Sequence, residues 1–229
     1  LVIITLSELA EQTRRIARAT TLPFFLDADH GFGNALSVMR CVEDLEAAGL
    51  SGLTIEDTEL PDPFDKKSGM PLSIAEGVGK LKAALAARSD PDFVIIGRTG
   101  AVGASGLEDA LARIAAYQET GVDAIFLSGL KTREEIEACA KACRLPLLLG
   151  AIPKPLLDQA ELSKLGVRAV ITGHRPHSAG VRATYETLRD TRAGTLGKQP
   201  EDEAPMMERL TRKKNYADLK NRFLKPTTN

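Results

Sequence analysis

The chain of 229 residues has little net charge and no long apolar run. Its formal net charge of −1 gives no broad electrostatic attraction to nucleic acid or to acidic membranes. No apolar run approaches the roughly 20 residues that a membrane-spanning helix needs. The first five residues lack the charged region and the cleavage pattern of a signal peptide. These absences disfavour nucleic-acid and membrane partners.

Cysteine is also scarce, with three in the whole chain. An odd number of cysteines in a long chain indicates reduced thiols and a cytoplasmic location. Cys139 and Cys143 are four residues apart, so on a helix they would share one face. That spacing has two interpretations, a metal or redox pair and two small buried side chains, and the second is the commoner one.

Short, continuously apolar runs alternate with helical patterns, which indicates a parallel α/β architecture. A recurring phrase puts Gly49, Gly121 and Gly166 after helical patterns and just before such runs, where a glycine can end a helix in the left-handed conformation. Six strands are predicted, near Pro23–Leu26, Gly52–Ile55, Phe93–Ile96, Ala124–Leu127, Pro146–Leu149 and Ala169–Ile171.

Three Ser/Thr-x-x-Glu sequences predict capping boxes at helix starts. They begin at Ser73, Ser105 and Thr132. A fourth helix is predicted over Asn34–Ala48, where apolar residues recur at i, i+3 and i+4 spacing.

Two parallel architectures compete for this pattern. An open doubly wound sheet usually has a Gly-rich phosphate loop after its first strand, but Gly31-Phe32-Gly33 lacks the third glycine. A (β/α)₈ TIM barrel carries its chemistry at the C-terminal ends of many strands. Polar residues follow at least four strands here: Asp27 and Asp29, Glu56 and Asp57, Arg98, and His174.

We therefore predict an α/β fold of the (β/α)₈ TIM-barrel type over residues 1–197. Because six strands are found where eight are needed, we expect that the first one or two strands are lacking from this chain. Residues 198–229 are predicted to form a linker and a C-terminal helical tail, since a polar, acidic stretch precedes a helical pattern.

Carboxylates at the ends of two successive strands suggest one site. Asp27 and Asp29 follow the first strand, and Glu56 and Asp57 follow the second. Charges at the mouth of a buried strand are costly unless a positive group meets them, and Mg²⁺ prefers oxygen ligands. The alternative is that Asp27 and Asp29 cap the following helix.

Four motifs resemble the isocitrate lyase and phosphoenolpyruvate mutase superfamily, and within it most of all the oxaloacetate decarboxylase branch. They are Asp27-Ala28-Asp29-His30-Gly31-Phe32-Gly33, Ile55-Glu56-Asp57, Lys66-Lys67-Ser68-Gly69-Met70 and Ile96-Gly97-Arg98-Thr99. The resemblance implies a barrel that binds Mg²⁺, with Mn²⁺ as a substitute, and a small 2-oxo dicarboxylate. It also implies a homo-oligomer, a tetramer in relatives.

The resemblance assigns roles to individual residues. It implies that Asp29 binds the metal and that Asp27 and Glu56 support it. It implies that Arg98 binds a substrate carboxylate and that His174 contacts the substrate. Two alternatives remain from the residues alone: Arg98 forms a structural ion pair with Glu56 or Asp57, and His174 is a structural residue.

Ser68 bears on the reaction. Lyases of the superfamily carry a cysteine there as a general acid, and a serine hydroxyl is a far weaker acid than a thiol. The resemblance therefore favours decarboxylation of oxaloacetate to pyruvate and CO₂ through a metal-stabilised enolate, with Ser68 contacting substrate. The alternatives are a carbon–carbon lyase of the 2-methylisocitrate or dimethylmalate type, and a non-catalytic barrel fragment, which Gly100 favours because relatives have a polar residue there.

Overall fold

The computed structural model describes residues 3–62, 64–65, 67–197 and 200–225. Contacts within the chain divide it into two compact units, residues 1–173 and residues 174–229. None of the helices in the described ranges is long and apolar enough to cross a membrane.

A parallel sheet of six strands forms the centre of the first unit. Its spatial order, β1-β2-β3-β4-β5-β6, follows the chain, so each strand pairs with its neighbours in sequence. Each predicted apolar run overlaps one strand, so the six-strand prediction is confirmed. The strands are β1 (Phe25–Asp27), β2 (Gly52–Glu56), β3 (Val94–Thr99), β4 (Ala124–Ser128), β5 (Leu147–Gly150) and β6 (Val167–Ile171).

Helices alternate with these strands, as the sequence pattern predicted. The helices of the first unit are α1 (Leu6–Ala19), α2 (Ala35–Ala47), α3 (Ile74–Ala87), α4 (Ala101–Ala104), α5 (Leu107–Gln118), α6 (Arg133–Ala142) and α7 (Gln159–Lys164), with a short 3₁₀ turn at Lys154–Leu156. Gly49, Gly121 and Gly166 have φ angles of +93°, +97° and +83°, which confirms that left-handed glycines precede β2, β4 and β6.

The sheet buries two separate apolar layers, because successive strand residues point to opposite faces. The larger layer lies between the sheet and the helices and includes Leu53, Ile95 and Ile125. The smaller layer lies on the other face and consists of Ile96, Ala124, Phe126 and Leu148. We call these the helix face and the inner face of the sheet.

The predicted helix caps are confirmed at two of three positions. Thr132 and Glu135 form a full capping box at the start of α6, and the Ser73 hydroxyl accepts from the Glu76 amide at the start of α3. The prediction at Ser105 is wrong. Ser105 ends the short helix α4, and Gly106, with a φ of +104°, is the residue before α5.

The second unit consists of three helices in its described part. They are α8 (Arg175–Ala193), α9 (Glu203–Leu210) and α10 (Lys213–Phe223), and no residue of theirs is buried. On α8 the exposed apolar residues Val181, Tyr185 and Leu188 recur at i, i+4 and i+7, so they share one face. Lys198 and Gln199, where the linker is predicted to begin, lie outside the described residues.

Candidate active site

The turn after β1 sets the direction of two carboxylates. Asp29 has a φ of +48° and Gly31 a φ of +71°, and the Gly31 amide donates to the Ala28 carbonyl at 2.9 Å. A Cβ atom on Gly31 would lie 2.5 Å from Val38 Cγ2, so this turn accepts only glycine there. Within the turn the Asp29 amide donates to Asp27 Oδ1 at 3.0 Å.

The start of helix α2 does not use these carboxylates. The side chain of Asn34 accepts from the amides of Leu36 and Ser37, at 3.0 and 3.3 Å. The alternative in which Asp27 and Asp29 cap α2 is therefore wrong, since Asn34 already fills that position.

Strand β2 brings a third carboxylate to the same edge of the sheet. The Glu56 amide donates to the Asp29 carbonyl at 2.8 Å, and the Thr54 hydroxyl donates to Asp27 Oδ1 at 3.1 Å. The Glu56 residue is only 8% exposed. The ends of β1 and β2 thus hold Asp27, Asp29 and Glu56 in one neighbourhood.

Arg98 on β3 lies among these carboxylates. It is the register partner of Glu56, and its guanidinium forms ion pairs with Asp27 and, at 3.1 Å from Nη2 to Oε2, with Glu56. The interpretation of Arg98 as an ion-pair partner is therefore confirmed for Glu56, and no ion pair joins it to Asp57 in the described structure. We call Asp27, Asp29, Glu56 and Arg98 the strand-end site.

An aromatic ring supports the arginine from the inner face of the sheet. The Arg98 Cζ atom lies 5.1 Å from the centroid of the Phe126 ring, within the range of a cation–π contact. A Cβ atom on Gly150 would lie 2.8 Å from that ring. Gly150 therefore leaves the space that Phe126 needs to lie under Arg98.

The strand-end site carries more negative than positive charge, with three carboxylates and one guanidinium. The pKa of Asp29 is raised, first by partial burial and then by the neighbouring charge of Asp27. The pKa of Glu56 is raised by burial, although Arg98 opposes the change. Burial is the largest cause of both shifts, and the like charge of Asp27 adds to each of them.

The carboxylates do not form a closed cage of ligands. No group of three or more acidic, histidine or cysteine side chains in the described ranges is arranged to hold a metal ion by itself. This arrangement is compatible with Mg²⁺, which keeps several waters and takes only one or two protein carboxylates. The excess negative charge and the oxygen donors fit a hard dication.

Ser68 and His174 are the two remaining candidate residues. Ser68 is exposed, and its hydroxyl donates to Asp62 Oδ1 at 2.8 Å. Lys66 of the same motif lies outside the described residues. His174 belongs to the second unit, where it is exposed and precedes α8, and its carbonyl accepts from the Ser178 amide at 3.1 Å. The substrate roles of Ser68 and His174 stay predictions.

A second polar cluster lies on the helix face directly behind the strand-end site. Asp57 Oδ2 accepts from Arg113 Nη1 at 2.9 Å and from the Tyr117 hydroxyl at 2.6 Å. Asp57 is 2% exposed and Arg113 is 5% exposed. We call Asp57, Arg113 and Tyr117 the helix-side network.

This network was not predicted from the sequence. The signal that could have revealed it is the spacing of Arg113 and Tyr117, four residues apart on the same helix face as the apolar Ala110 and Ile114. A charged residue on an otherwise apolar helix face needs a buried partner.

A parallel α/β fold with an acidic cluster and an arginine at the carboxyl ends of its strands is the arrangement of an enzyme that acts on small charged molecules. The comparisons with known proteins agree with that class. The family model described as phosphoenolpyruvate phosphomutase matches residues 2–192, and the chain belongs to this family.

Among curated proteins, similar relatives are named oxaloacetate decarboxylase. One from Rhodopseudomonas palustris (strain BisA53) is 50% identical over 212 residues, which cover 92% of this chain and 73% of the relative. One from Bradyrhizobium sp. (strain BTAi1 / ATCC BAA-1182) is 47% identical over 221 residues, which cover 96% and 76%. The resemblance to this branch is confirmed.

Solved structures show the same fold. A phosphoenolpyruvate phosphomutase from Streptomyces platensis subsp. rosaceus matches with a TM-score of 0.84 at 28% identity and covers 97% of this chain and 81% of its own. A phosphonopyruvate hydrolase in complex with oxalate and Mg²⁺ matches with a TM-score of 0.83 at 35% identity, with coverage of 97% and 80%.

Proposed function

We propose that this chain is a Mg²⁺-dependent carboxy-lyase that converts oxaloacetate to pyruvate and CO₂. The observation that carries the proposal is the strand-end site, where Asp27, Asp29 and Glu56 surround the single guanidinium of Arg98. Relatives at 47–50% identity that are named oxaloacetate decarboxylase support the substrate.

The carboxylates would hold the metal ion. Asp29 is the direct ligand in this proposal, because its carboxylate makes no ion pair in the described structure and lies near the like charge of Asp27. Asp27 and Glu56 would hold metal-bound waters. Bound Mg²⁺ would supply a Lewis acid that polarises the 2-oxo group. Phosphonopyruvate hydrolase, which was solved with oxalate and Mg²⁺, is a precedent for such a pairing.

Arg98 would bind and orient a substrate carboxylate. Its guanidinium can offer two parallel N–H donors, and its Cζ atom lies over the Phe126 ring. Orientation matters because the bond between C3 and C4 breaks only when it stands across the plane of the polarised carbonyl. The bonding electrons move towards the 2-oxo group, CO₂ leaves from C4, and C3 takes up a proton.

Ser68 and His174 complete the proposal as substrate contacts. The hydroxyl of Ser68 suits binding better than proton transfer, since its pKa lies far above that of a thiol. Decarboxylation needs no strong acid at that position, whereas cleavage of a methylisocitrate-type substrate does. Ser68 thus favours the decarboxylase over the lyase reaction.

We also propose three broader features of the protein. The sequential order of six parallel strands supports a (β/α)₈ barrel. The free thiols of Cys41, Cys139 and Cys143 support a cytoplasmic location. The exposed apolar face of α8 supports a homo-oligomer, because such faces are usually covered by another surface.

The test is an assay of pyruvate and CO₂ formation from oxaloacetate with Mg²⁺ and with a chelator. The control is Asp29→Asn at the same Mg²⁺ concentration, which reports any decarboxylation that the free metal ion causes. Asparagine tolerates the left-handed backbone of this position, where φ is +48°, so the variant should fold. We expect metal-dependent turnover that the variant loses.

Three outcomes would contradict the proposal. Turnover that Asp29→Asn retains would remove the metal assignment. Cleavage of 2-methylisocitrate without decarboxylation of oxaloacetate would favour the lyase. A folded protein that neither turns over oxaloacetate nor binds oxalate in the presence of Mg²⁺ would favour a non-catalytic barrel.

A further inference from the structure

Lys80 is an unusual residue for the interior of a protein. It lies on α3 and is 2% exposed. Its ammonium makes no hydrogen bond and no ion pair with any residue in the described part of the chain. A lysine this deeply buried without an ion pair is costly, and burial lowers the pKa of Lys80. Neither metal binding nor substrate binding, as proposed above, uses this residue.

The surroundings of Lys80 join the two polar clusters. A packing gap without room for a water molecule is lined by Lys80, Glu56, Asp57, Arg98 and Tyr117, with apolar neighbours. Two buried atoms from this lining, Arg98 Nε and Asp57 Oδ1, have no hydrogen-bond partner. The gap therefore brings Lys80 close to both clusters, in which Arg98 pairs with Glu56 and Tyr117 bonds Asp57.

Three carboxylates lie close enough to act on the ammonium of Lys80. The carboxylates that act on it are Glu76, one turn earlier on α3, and then Asp57 and Glu56 at the end of β2. Asp57 is already bonded through Oδ2 to Arg113 and Tyr117. Glu56 has one cationic partner, Arg98, and that partner is the residue that would move to a substrate.

We propose that Lys80 is a positioning residue for this site, whose ammonium holds the Glu56 carboxylate from the helix face when Arg98 turns to a substrate carboxylate. The flexible stem of lysine lets the ammonium move into the space that the guanidinium vacates. Glu56 then keeps a cationic partner throughout binding. This inference rests on the proposed function, because it takes Arg98 as the carboxylate ligand.

The test measures oxalate binding by calorimetry at saturating Mg²⁺ in Lys80→Met, with Lys82→Met as the matched control. Lys82 is an exposed lysine two residues further along α3. Methionine keeps the length of the stem and removes the charge. We expect Lys80→Met to weaken oxalate binding about tenfold, as the loss of an interaction with a charged group does, and Lys82→Met to bind as wild type.

Comparing the Lys80 substitution in wild type and in a Glu56→Gln background distinguishes a positioning role of Lys80 from a general structural role. In a Glu56→Gln background the same lysine substitution should change oxalate affinity less than about twofold, because its target carboxylate is gone. Lys80→Arg, which keeps the charge, should retain most of the binding. Lys80→Gln, which is neutral but polar, replaces Lys80→Met if that variant fails to fold. An unchanged affinity in Lys80→Met, or an equal loss in both backgrounds, would overturn the inference.

The inference also has a readout that does not depend on oxalate. If wild type binds no oxalate with Mg²⁺, the proposed function fails. The electrostatic coupling of Lys80 to Glu56, which the unliganded protein already has, is then measured by thermal unfolding of the two single variants and the double variant. Non-additive shifts in melting temperature support the coupling that the inference requires, and additive shifts overturn it.

Discussion

Two arginine–carboxylate clusters stand back to back at the same end of the sheet, and they differ in how completely their charges are met. In the helix-side network, one oxygen of Asp57 receives two hydrogen bonds, and Arg113 bonds a second acid, Asp109, at 2.9 Å. In the strand-end site, three carboxylates share one guanidinium, and the Asp27 side chain is 51% exposed.

This difference indicates that the helix-side network serves stability and that the strand-end site serves ligand binding. A buried pair whose charges are met fixes one arrangement of the chain, even though one oxygen of Asp57, Oδ1, has no hydrogen-bond partner in the described structure. A partly exposed cluster with excess negative charge can accept a ligand. Successive residues of β2 and its end, Glu56 and Asp57, supply one carboxylate to each cluster. The predictions below test whether the first cluster governs stability and the second governs chemistry.

The largest expected effect is on stability, in Arg113→Ala. Removing the arginine leaves Asp57 buried without its cation, which should lower the free energy of unfolding by about 3–5 kcal/mol. The control is Arg133→Ala on α6, whose side chain is 53% exposed and paired with Glu137 and Glu161. That exposed pair should contribute at most about 1 kcal/mol.

Urea unfolding followed by circular dichroism measures both variants. Equal losses of unfolding free energy in Arg113→Ala and Arg133→Ala would mean that burial does not determine how much the helix-side network stabilises the fold.

The second effect is on turnover, in Arg98→Ala. Loss of a charged hydrogen bond to the substrate should lower kcat/KM by a factor that corresponds to at least about 2 kcal/mol. The variant also leaves three carboxylates without a cation, so Mg²⁺ should raise its melting temperature more than that of wild type. Arg113→Ala should gain no such extra stabilisation from Mg²⁺. An unchanged kcat/KM would refute the role of Arg98.

The smallest effect compares two glycines of α3. A Cβ atom on Gly77 would lie 2.2 Å from the Tyr117 hydroxyl, whereas nothing lies within 4 Å of a Cβ atom on Gly79. Gly77→Ala should therefore cost about 1–3 kcal/mol by pushing Tyr117 away from Asp57. Gly79→Ala should stabilise the helix by about 0.5–1 kcal/mol.

Thermal melting of the two alanine variants checks both signs. A loss in Gly79→Ala equal to that in Gly77→Ala would show that the helix, and not the contact with Tyr117, responds.

Local patterns were sufficient to predict much of this molecule. The apolar runs identified all six strands, since buried parallel strands carry little besides apolar residues. The polar residues that follow those runs identified Asp27, Glu56 and Arg98 as neighbours, because the carboxyl ends of parallel strands meet at one edge of a sheet. Both inferences depend on short stretches of chain.

Features that depend on distant contacts escaped prediction. Asp57 and Arg113 are 56 residues apart, and no local pattern pairs them. Arg98 pairs with Asp27 and Glu56 and not with Asp57, because the choice depends on the face of the sheet to which each side chain points. The capping prediction at Ser105 failed because the four-residue helix α4 occupies the preceding stretch.

The adjacency of Glu56 and Asp57 restricts how this protein can change. Sliding β2 by one position against β3 would turn Glu56 into the helix layer and Asp57 towards the opposite surface. Such a shift would leave Arg113 without its carboxylate partner and would at the same time remove Glu56 from the strand-end site. Insertions and deletions in β2 should therefore be absent from functional variants, while substitutions at either carboxylate can be separated and studied one at a time.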